Sequence, residues 1–254
     1  MIAGVQRVLL ERHSPAMVGW RTEPVWIGGG GSTPVTADYV APDHRRILGA
    51  LDDLTAFAAR DDLLLLPQIA VAHAQFETIH PFADGNGRTG RALVQILLRT
   101  KGLVRTATVP ISGGLLTEKS RYFDALGAYR EGDAGPIIRQ LVRASLSAVE
   151  HGRRLATQVT ELRDTWRENV RARSDSATWK VLELLPAHPV VDAETVAREI
   201  GVHPNNVRRA VAPLVEAGIL VPSQHFKSHK ALYRAPAVLD LLDGYAAEVG
   251  RRER

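Results

Sequence analysis

The chain of 254 residues is 45% hydrophobic and 24% charged, has a formal net charge of +4 and contains no cysteine. This composition is typical of a folded, water-soluble protein, and it excludes a disulfide framework and a thiolate zinc site. The longest leucine run, residues 63–66, is far shorter than the ~20 apolar residues that span a bilayer, and charges interrupt the N-terminal segment. We therefore expect a cytoplasmic protein without a signal peptide or a membrane role.

The first predicted elements are a short helix and a β-hairpin. Residues 2–11 are apolar-rich and predict the helix, whereas residues 19–27 are rich in β-prone side chains and lead into the glycines 28–31. No lysine precedes the serine after these glycines, so they do not form a P-loop. The exposed edge of such a hairpin can bind an extended segment of a partner, and a surface hairpin with no partner is the alternative.

Two helices are predicted next, over residues 41–59 and 67–79. His73, Glu77 and His80 follow one another at helical offsets, a spacing that can hold a metal. We prefer a hydrogen-bonded helix face for the first two, because the histidine that ends this series is needed as a base in the following loop.

Residues 80–91 read His-Pro-Phe-Ala-Asp-Gly-Asn-Gly-Arg-Thr-Gly-Arg and contain the groups that phosphate chemistry needs. The imidazole of His80 titrates near neutrality in water and can accept a proton from an attacking hydroxyl. Asp84 provides the carboxylate oxygens that Mg²⁺ prefers. The Gly-Asn-Gly stretch at residues 85–87 can bend so that its N–H groups converge on an anion.

A helix is predicted over residues 88–98, so its positive N-terminal end lies at this loop. Arg88 and Arg91 share one helix face and can both bind phosphate oxygens. An Asp-Gly-Asn-Gly turn by itself is common and needs no function, but such a turn requires neither the histidine nor two arginines. The combination predicts a phosphate-binding site.

The stretch resembles the motif of the Fic (filamentation induced by cAMP) family, His-x-Phe-x-(Asp/Glu)-Gly-Asn-Gly-Arg-x-x-Arg. Every position of the motif is filled, by His80, Phe82, Asp84, Gly85, Asn86, Gly87, Arg88 and Arg91. The resemblance implies a mainly α protein, with a Fic-type helical domain that carries a small β-hairpin flap. It also implies transfer of a nucleoside monophosphate, most often AMP from ATP, to a Ser, Thr or Tyr hydroxyl of a protein target, with the protein itself as one candidate.

The same resemblance implies roles for the motif residues. His80 is the general base, Asp84 is the Mg²⁺ ligand and Phe82 is buried under the loop. Related proteins of the Doc type place lysine at the position of Gly87 and act as kinases, so the glycine here favours nucleotidyl transfer. The implied nucleotide-binding and phosphate-binding residues are Gly85, Asn86, Gly87, Arg88 and Arg91.

Fic proteins also have a flap beside the active site, with the pattern Gly-x-x-Arg-x-x-x-Val-x-Ile, along which a target peptide aligns as an added strand. Residues 19–36 resemble this flap, although the first spacing is shorter by one residue. The implied target-docking residues are Arg21, Val25 and Ile27.

The catalytic domain is assigned to residues 1–150. Beyond the motif helix, the sequence predicts a loop over residues 103–114, a helix over residues 117–129 and another from residue 135 to about residue 150. Apolar residues then recur at a helical period up to residue 173, which predicts an amphipathic linking helix over residues 151–174. This helix either packs on the catalytic domain or pairs with a second subunit in a homodimer.

Residues 175–254 resemble a winged helix-turn-helix domain, which is often appended to bacterial Fic domains. Three short helices, the second capped by Asp192 and the third starting at Pro204, are followed by a hairpin, and Pro213 is expected to kink or shorten the third helix. Such domains bind DNA or dock proteins, and both alternatives stay open. The candidate DNA-binding residues are Asn205, Asn206, Arg208, Arg209, Lys227 and Lys230.

Many Fic proteins carry an inhibitory helix with the pattern Ser/Thr-x-x-x-Glu-Gly/Asn, and this chain has no match. The stretch from Thr195 to Glu199 is followed by Ile200. Either the inhibitory segment is missing from this chain, or a separate antitoxin supplies it, or the enzyme is constitutively open. In Fic proteins the Glu of that helix pairs with the second arginine of the motif and obstructs the γ-phosphate, so without the helix Arg91 is expected to be free for the γ-phosphate of ATP.

We therefore expect a protein adenylyltransferase that uses ATP and Mg²⁺. One alternative is a DNA-binding regulator whose Fic domain only senses nucleotide. Another is Fic-type transfer of a different phosphate-linked moiety, such as UMP or phosphocholine.

Overall fold

The computed structural model describes residues 1–29, 33–105, 108–117, 119–225 and 228–249. They divide into two compact units, one from Met1 to Val149 and the other beginning at Glu150. Most described residues are helical, and none of the described helices is long and apolar enough to cross a membrane.

The first unit is built around one central helix. Its elements are α1 (Ile2–Leu10), β1 (Trp26–Ile27), β2 (Tyr39–Val40), α2 (Ile47–Ala59), α3 (Leu65–Ile79), α4 (Asn86–Thr100), α5 (Ile111–Thr117), α6 (Lys119–Arg130) and the first part of α7 (Gly135–Asn169). Helix α3 is buried on nearly all sides and packs against α2, α4 and α6. The core therefore fixes the point where α3 ends and the motif loop begins.

A short antiparallel ladder forms a hairpin, whose second strand lies at residues 39–40, beyond the predicted flap of residues 19–36. Trp26 pairs with Val40 and Ile27 pairs with Tyr39. An isolated antiparallel bridge joins Trp20 to Phe82, so the segment that enters the hairpin lies directly against the motif loop.

Helix α5 begins at Ile111, inside the loop that the sequence predicted over residues 103–114, so the last part of that prediction was wrong. The helix buries Ile111 and Leu115, which are one turn apart. The sequence did not indicate this helix, because the consecutive Gly113 and Gly114 lower its helix propensity. One of them, Gly114, has a packing reason: a Cβ there would lie 2.8 Å from the Cβ of Ala144 on α7.

Helix α7 is one continuous helix of 35 residues, whereas the sequence predicted two helices that meet near residue 150. The change from an apolar to a charged composition suggested a break. A change of composition does not end a helix, and Gly152 is tolerated within it, because a single interior glycine costs only about 1 kcal/mol.

The second unit contains the rest of α7, a three-stranded antiparallel sheet and further helices. They are α8 (Ala177–Leu184), β3 (Val190–Asp192), α9 (Ala193–Ile200), α10 (Pro204–Glu216), β4 (Val221–His225), β5 (Ser228–Arg234) and α11 (Pro236–Val249). The sheet order is β3-β5-β4. A second hydrophobic core, which includes Leu182, Val196 and Leu214, holds these elements together.

Two details of the second unit differ from the sequence predictions. Strand β3 was not predicted, because three residues are too few for a periodic signal, but the predicted cap at Asp192 is confirmed: its carboxylate accepts the N–H of Thr195 at 2.7 Å. Pro213 lies inside α10, which continues to Glu216, so the proline does not end the helix.

Candidate active site

The C-terminal end of α3 gives His80 an unusual backbone conformation. This residue has φ 47° and ψ 61°, in the left-handed region, and still donates its N–H to the carbonyl of Phe76. Left-handed backbone is costly for a residue with a side chain, and the following Pro81 disfavours continued right-handed helix. The chain therefore turns at the histidine itself, directly after the rigid helix.

The ring of His80 is held as a neutral base. Its Nδ1 lies 3.3 Å from the main-chain oxygen of Glu77, and because a carbonyl only accepts, Nδ1 carries the hydrogen and Nε2 keeps its lone pair. Burial lowers the pKa of His80 to about 4, and the nearby positive charges of Arg21 and Arg130 act in the same direction. The imidazole is consequently neutral at pH 7, with its one N–H hydrogen on Nδ1.

Asp84 and Gly85 form the turn into α4. The Asp84 carboxylate accepts the N–H of Gly85 at 2.6 Å and a guanidinium hydrogen of Arg88 at 3.0 Å. Gly85 has φ 85°, and a Cβ there would lie 3.1 Å from Leu10, so both its conformation and its surroundings favour glycine. The aspartate is about half exposed beside this turn.

Asn86 shapes the loop from inside. Its side chain accepts the N–H of Phe82 at 3.0 Å and donates to the carbonyl of the same residue at 2.8 Å, and only 3% of the asparagine is exposed. Phe82 is fully buried, as predicted, and stacks on Trp20 with ring centroids 4.8 Å apart. The amide of Asn86 is therefore engaged within the loop, and its main-chain N–H is the group available to a ligand.

The predicted catalytic, metal and nucleotide residues surround one cleft of about 310 Å³, which is lined by His80, Ala83, Asp84, Gly85, Asn86, Gly87, Arg88 and Arg91. Helix α4 begins at this cleft, and the first N–H groups of a helix have no carbonyl one turn earlier to bind. These donors, the helix dipole and the two arginines make the cleft suited to a polyphosphate. A Cβ at Gly87 would lie 3.2 Å from Nη1 of Arg91, so the glycine also leaves room for this arginine.

Asp84 is the candidate metal ligand in the cleft. No cluster of three or more histidine or acidic side chains suited to a metal occurs within the described ranges. A single half-exposed carboxylate fits Mg²⁺, because this ion commonly binds through one or two carboxylates together with substrate phosphates and water.

A buried polar layer lies between α3 and the helices that pack on it. His73 is fully buried, with Nε2 2.9 Å from the hydroxyl of Tyr122 and Nδ1 3.3 Å from the carbonyl of Gly90. Burial raises the pKa of Glu77 to about 7, while the charges of Arg91 and Arg130 oppose this rise. Its Oε1 atom is buried and unpaired, and its Oε2 lies 4.0 Å from Nδ1 of His80.

Sequence reasoning missed Arg130. This residue ends α6, and its guanidinium lies 3.5 Å from the centre of the Tyr39 ring, while the Tyr39 hydroxyl donates to the carbonyl of Thr78 at 2.7 Å. Its positive charge lowers the pKa of His80 and opposes the rise in the pKa of Glu77. A helix-ending arginine far from the motif gives no sequence signal for such a role, because only tertiary packing brings it near.

The three predicted flap residues differ in their surroundings. Val25 and Ile27 are partly exposed on the hairpin, and their carbonyls accept the N–H groups of Ala41 and Asp38. Arg21 is only 5% exposed, and its guanidinium donates to main-chain carbonyls inside the protein. The arginine side chain expected to dock a target therefore faces the interior.

In the second unit, the candidate DNA-binding residues of α10 are all exposed: Asn205, Asn206, Arg208 and Arg209. The helix begins after His203, whose ring accepts the N–H of Asn205 at 3.3 Å. Lys230 lies within β5, and Lys227 lies outside the described residues.

Comparison with known proteins gives a family for the first part of the chain. Residues 1–98 match the model of the Fic/DOC family. A Fic/DOC family domain therefore occupies this region, which contains the hairpin, α3, the complete motif and most of α4.

Similar proteins carry names that refer to adenylyl transfer. The protein adenylyltransferase fic-1 of Caenorhabditis elegans is 27% identical over 150 residues, which are 59% of this chain and 27% of that protein. A probable protein adenylyltransferase of Aquifex aeolicus is 38% identical over 68 residues, 27% of this chain and 18% of that protein. The chain thus spans about a quarter or less of the length of these curated relatives.

A solved structure extends the likeness to most of the chain. The crystal structure of a Fic family protein from Desulfovibrio desulfuricans matches with a TM-score of 0.55 and 22% identity, over 92% of this chain and 67% of that one. At this identity the match concerns the fold, which is mainly helical in the manner of that protein.

Proposed function

We propose that this protein is an adenylyltransferase that moves AMP from ATP to a Ser, Thr or Tyr hydroxyl of a protein target. The observation that carries the proposal is the single cleft that brings together His80, Asp84, the start of α4 and two arginines. The names of the relatives agree with this activity.

His80 acts as the general base. Its free Nε2 accepts the proton of the target hydroxyl as the hydroxyl oxygen bonds to the α-phosphorus. The bond from that phosphorus to the bridging oxygen breaks, and pyrophosphate leaves with the electron pair. Because burial keeps this imidazole neutral, no proton has to be lost before the reaction.

The start of α4 and the arginines hold the phosphates. Main-chain N–H groups of residues 86–88 face charge that develops during transfer, in a position fixed by the core, and such fixed donors are the main source of stabilisation in phosphoryl chemistry. Arg88 and Arg91 bind the outer phosphates. Asp84 would hold Mg²⁺, which would neutralise charge on the triphosphate when bound.

The hairpin is the proposed docking edge for the target. Strand β1 pairs with β2 in a short two-stranded sheet, and a hairpin of this kind can take up an extended segment of a partner as an added strand. Val25 and Ile27 would contact that segment, whereas the buried Arg21 would not.

The test compares wild type with His80→Ala, each incubated with ATP and Mg²⁺ and analysed by intact mass. We expect the wild type to gain the mass of AMP units through self-modification and the variant to gain none. Parallel incubations replace ATP with UTP or CDP-choline. Gain of UMP or phosphocholine in these, without gain of AMP from ATP, would assign the site to another moiety.

We propose a second activity, DNA binding, for the second unit. The order of its helices and strands, with the β3-β5-β4 sheet, supports a winged helix-turn-helix module. The specific observation is that α10 exposes four DNA-compatible side chains while it buries Val207 and Ala210 in the core. If ATP changes the affinity of the protein for its operator DNA and no AMP transfer occurs, the protein is a nucleotide-sensing regulator.

Binding to random-sequence duplex DNA tests this second proposal. The double variant Arg208→Ala, Arg209→Ala should bind at least ~10-fold more weakly at low salt and show a shallower salt dependence, because two phosphate or base contacts are lost. The charge-matched control is Arg139→Ala, Arg143→Ala on the exposed face of α7 in the first unit. Equal losses in both variants, or no loss in either, would contradict a DNA-binding role for α10.

A further inference from the structure

We infer that Arg21 is a positioning residue for the proposed transfer: its guanidinium binds the carbonyls at the end of α3 and thereby ties the flap to the catalytic base. Nε donates to the carbonyl of His80 at 2.8 Å, and Nη2 lies 3.4 Å from the carbonyl of Ile79. The inference rests on the proposed function, in which this buried arginine would hold the catalytic base in position.

The guanidinium joins three segments of the chain. Besides the end of α3, it donates to the carbonyl of Glu23 at 3.1 Å and to that of Pro42 at 2.5 Å. Glu23 precedes β1 and Pro42 follows β2, so these two bonds grip both ends of the hairpin. One side chain therefore fixes the hairpin and the histidine to each other.

The end of α3 needs such a partner. The last carbonyls of a helix lack intrahelical donors, and the left-handed turn at His80 takes the chain away before a further turn could supply them. Arg21 provides charge-assisted donors to two of these carbonyls, which are stronger than neutral hydrogen bonds. In doing so it stabilises the backbone conformation from which the imidazole projects.

Further contacts brace the same junction. The N–H of Arg21 donates to the carbonyl of Pro81 at 3.0 Å, and the neighbouring Trp20 stacks on Phe82. From the other strand, the Tyr39 hydroxyl donates to the carbonyl of Thr78. The hairpin and the segment that enters it thus contact residues 78–82, on both sides of the base. A movement of the hairpin would therefore be transmitted to the histidine.

The charge of Arg21 provides a second, electrostatic link. It lowers the pKa of His80, as does Arg130 from α6, while Glu77 on α3 faces Nδ1 of the ring. A neutral residue at position 21 removes one of these positive charges, so the pKa of His80 should rise. A residue that served only folding would leave this pKa unchanged when the fold is intact.

The experiment compares Arg21→Gln and Arg21→Lys with the control Arg45→Gln, which removes the same charge from an exposed side chain near the hairpin. In Arg21→Gln we expect kcat for AMP transfer to fall ~10–100-fold, because small misplacements of a catalytic group have effects of this order, with KM for ATP changed less than about threefold. The lysine variant should be intermediate, since an ammonium can reach some of the carbonyls but cannot fork. Arg45→Gln should match the wild type.

NMR titration of His80, without ATP, separates this inference from the proposed function. A higher His80 pKa in folded Arg21→Gln, but not in Arg45→Gln, supports the positioning role even if no target is at hand. Folded variants with wild-type kcat and unchanged His80 pKa would overturn it. If Arg21→Gln does not fold, kcat of folded Arg21→Lys decides, because lysine keeps the charge but cannot fork: a reduced kcat supports the positioning role and a wild-type kcat overturns it. An inactive wild type with the pKa shift present in Arg21→Gln would refute only the proposed function.

Discussion

The ring of His80 is 17% exposed, its Nδ1 faces a carbonyl, and two arginines lie near it. At the scale of single residues, these surroundings decide its chemistry, because desolvation and nearby positive charge both disfavour the imidazolium. The motif predicted a base, but only the packed structure indicates that this base is neutral before the reaction.

The pH dependence of AMP transfer should lack a step near the ordinary histidine pKa of ~6.5. Because the pKa of His80 is lowered to about 4, the base is already neutral at pH 6, so kcat should be level from pH 6 to pH 8 and fall only in the acid range. Steady-state rates at constant ionic strength test this. A half-maximal kcat near pH 6.5 would show that the histidine is not desolvated.

Glu77→Gln should change how stability depends on pH. The pKa of Glu77 is raised to about 7 in the folded protein, from an ordinary value of 4.5, so between these values the folded state holds a proton that the unfolded state has released. The favourable contribution present below pH 4.5 is therefore lost as pH rises through about 7. Urea unfolding at pH 5 to pH 8 should show the stability of the variant, relative to wild type, rising with pH. A constant difference would contradict the raised pKa.

At the scale of elements, the close packing of α3 on α4 positions the cleft. Gly90 lies at this contact: a Cβ there would be 2.3 Å from Oε1 of Glu77, 3.1 Å from Phe76 and 3.2 Å from His73. The helix that carries the phosphate-binding residues can approach α3 only because this position has no side chain.

Gly90→Ala is therefore expected to destabilise the first unit by ~1–3 kcal/mol, the usual range for overpacking in a core. The control is Gly49→Ala on α2, where an added Cβ meets nothing within 4 Å and where alanine should stabilise the helix by up to ~1 kcal/mol. Denaturant unfolding of both variants measures the two effects. Equal behaviour of the two alanines would contradict the close contact of α3 with α4.

The accuracy of the sequence predictions follows the range of the interactions involved. Three features were predictable because they depend on neighbouring residues or on a complete motif: the turn into α4, the cap at Asp192 and the burial of Phe82. Helix α5 was missed because its glycines are explained only by the approach of α7. The inward direction of Arg21 was missed for the same reason, since its acceptors lie as far as 59 residues away.

At the scale of the whole molecule, the described residues contain two separate hydrophobic cores, one in each unit. Proteins with more than one core commonly unfold in more than one step. Each unit should therefore have a stability of its own.

Leu214→Ala and Ile69→Ala test this independence, since both side chains are buried, one in each core. Each substitution should destabilise its own unit by ~2–5 kcal/mol and leave the transition of the other unit in place. Calorimetry should resolve the two transitions, and AMP transfer by Leu214→Ala at 25 °C should match that of the wild type. A single transition that both variants shift equally would show that the units unfold together.

The most direct test of the central claim uses ATP labelled at either the α-phosphate or the γ-phosphate. The purified chain is incubated with each nucleotide and Mg²⁺, wild type beside His80→Ala, and covalently bound label and released pyrophosphate are measured. We predict that the wild type retains the α-label, does not retain the γ-label and releases pyrophosphate, and that His80→Ala does none of these. Retention of the γ-label, or of neither label, would contradict AMP transfer by this cleft.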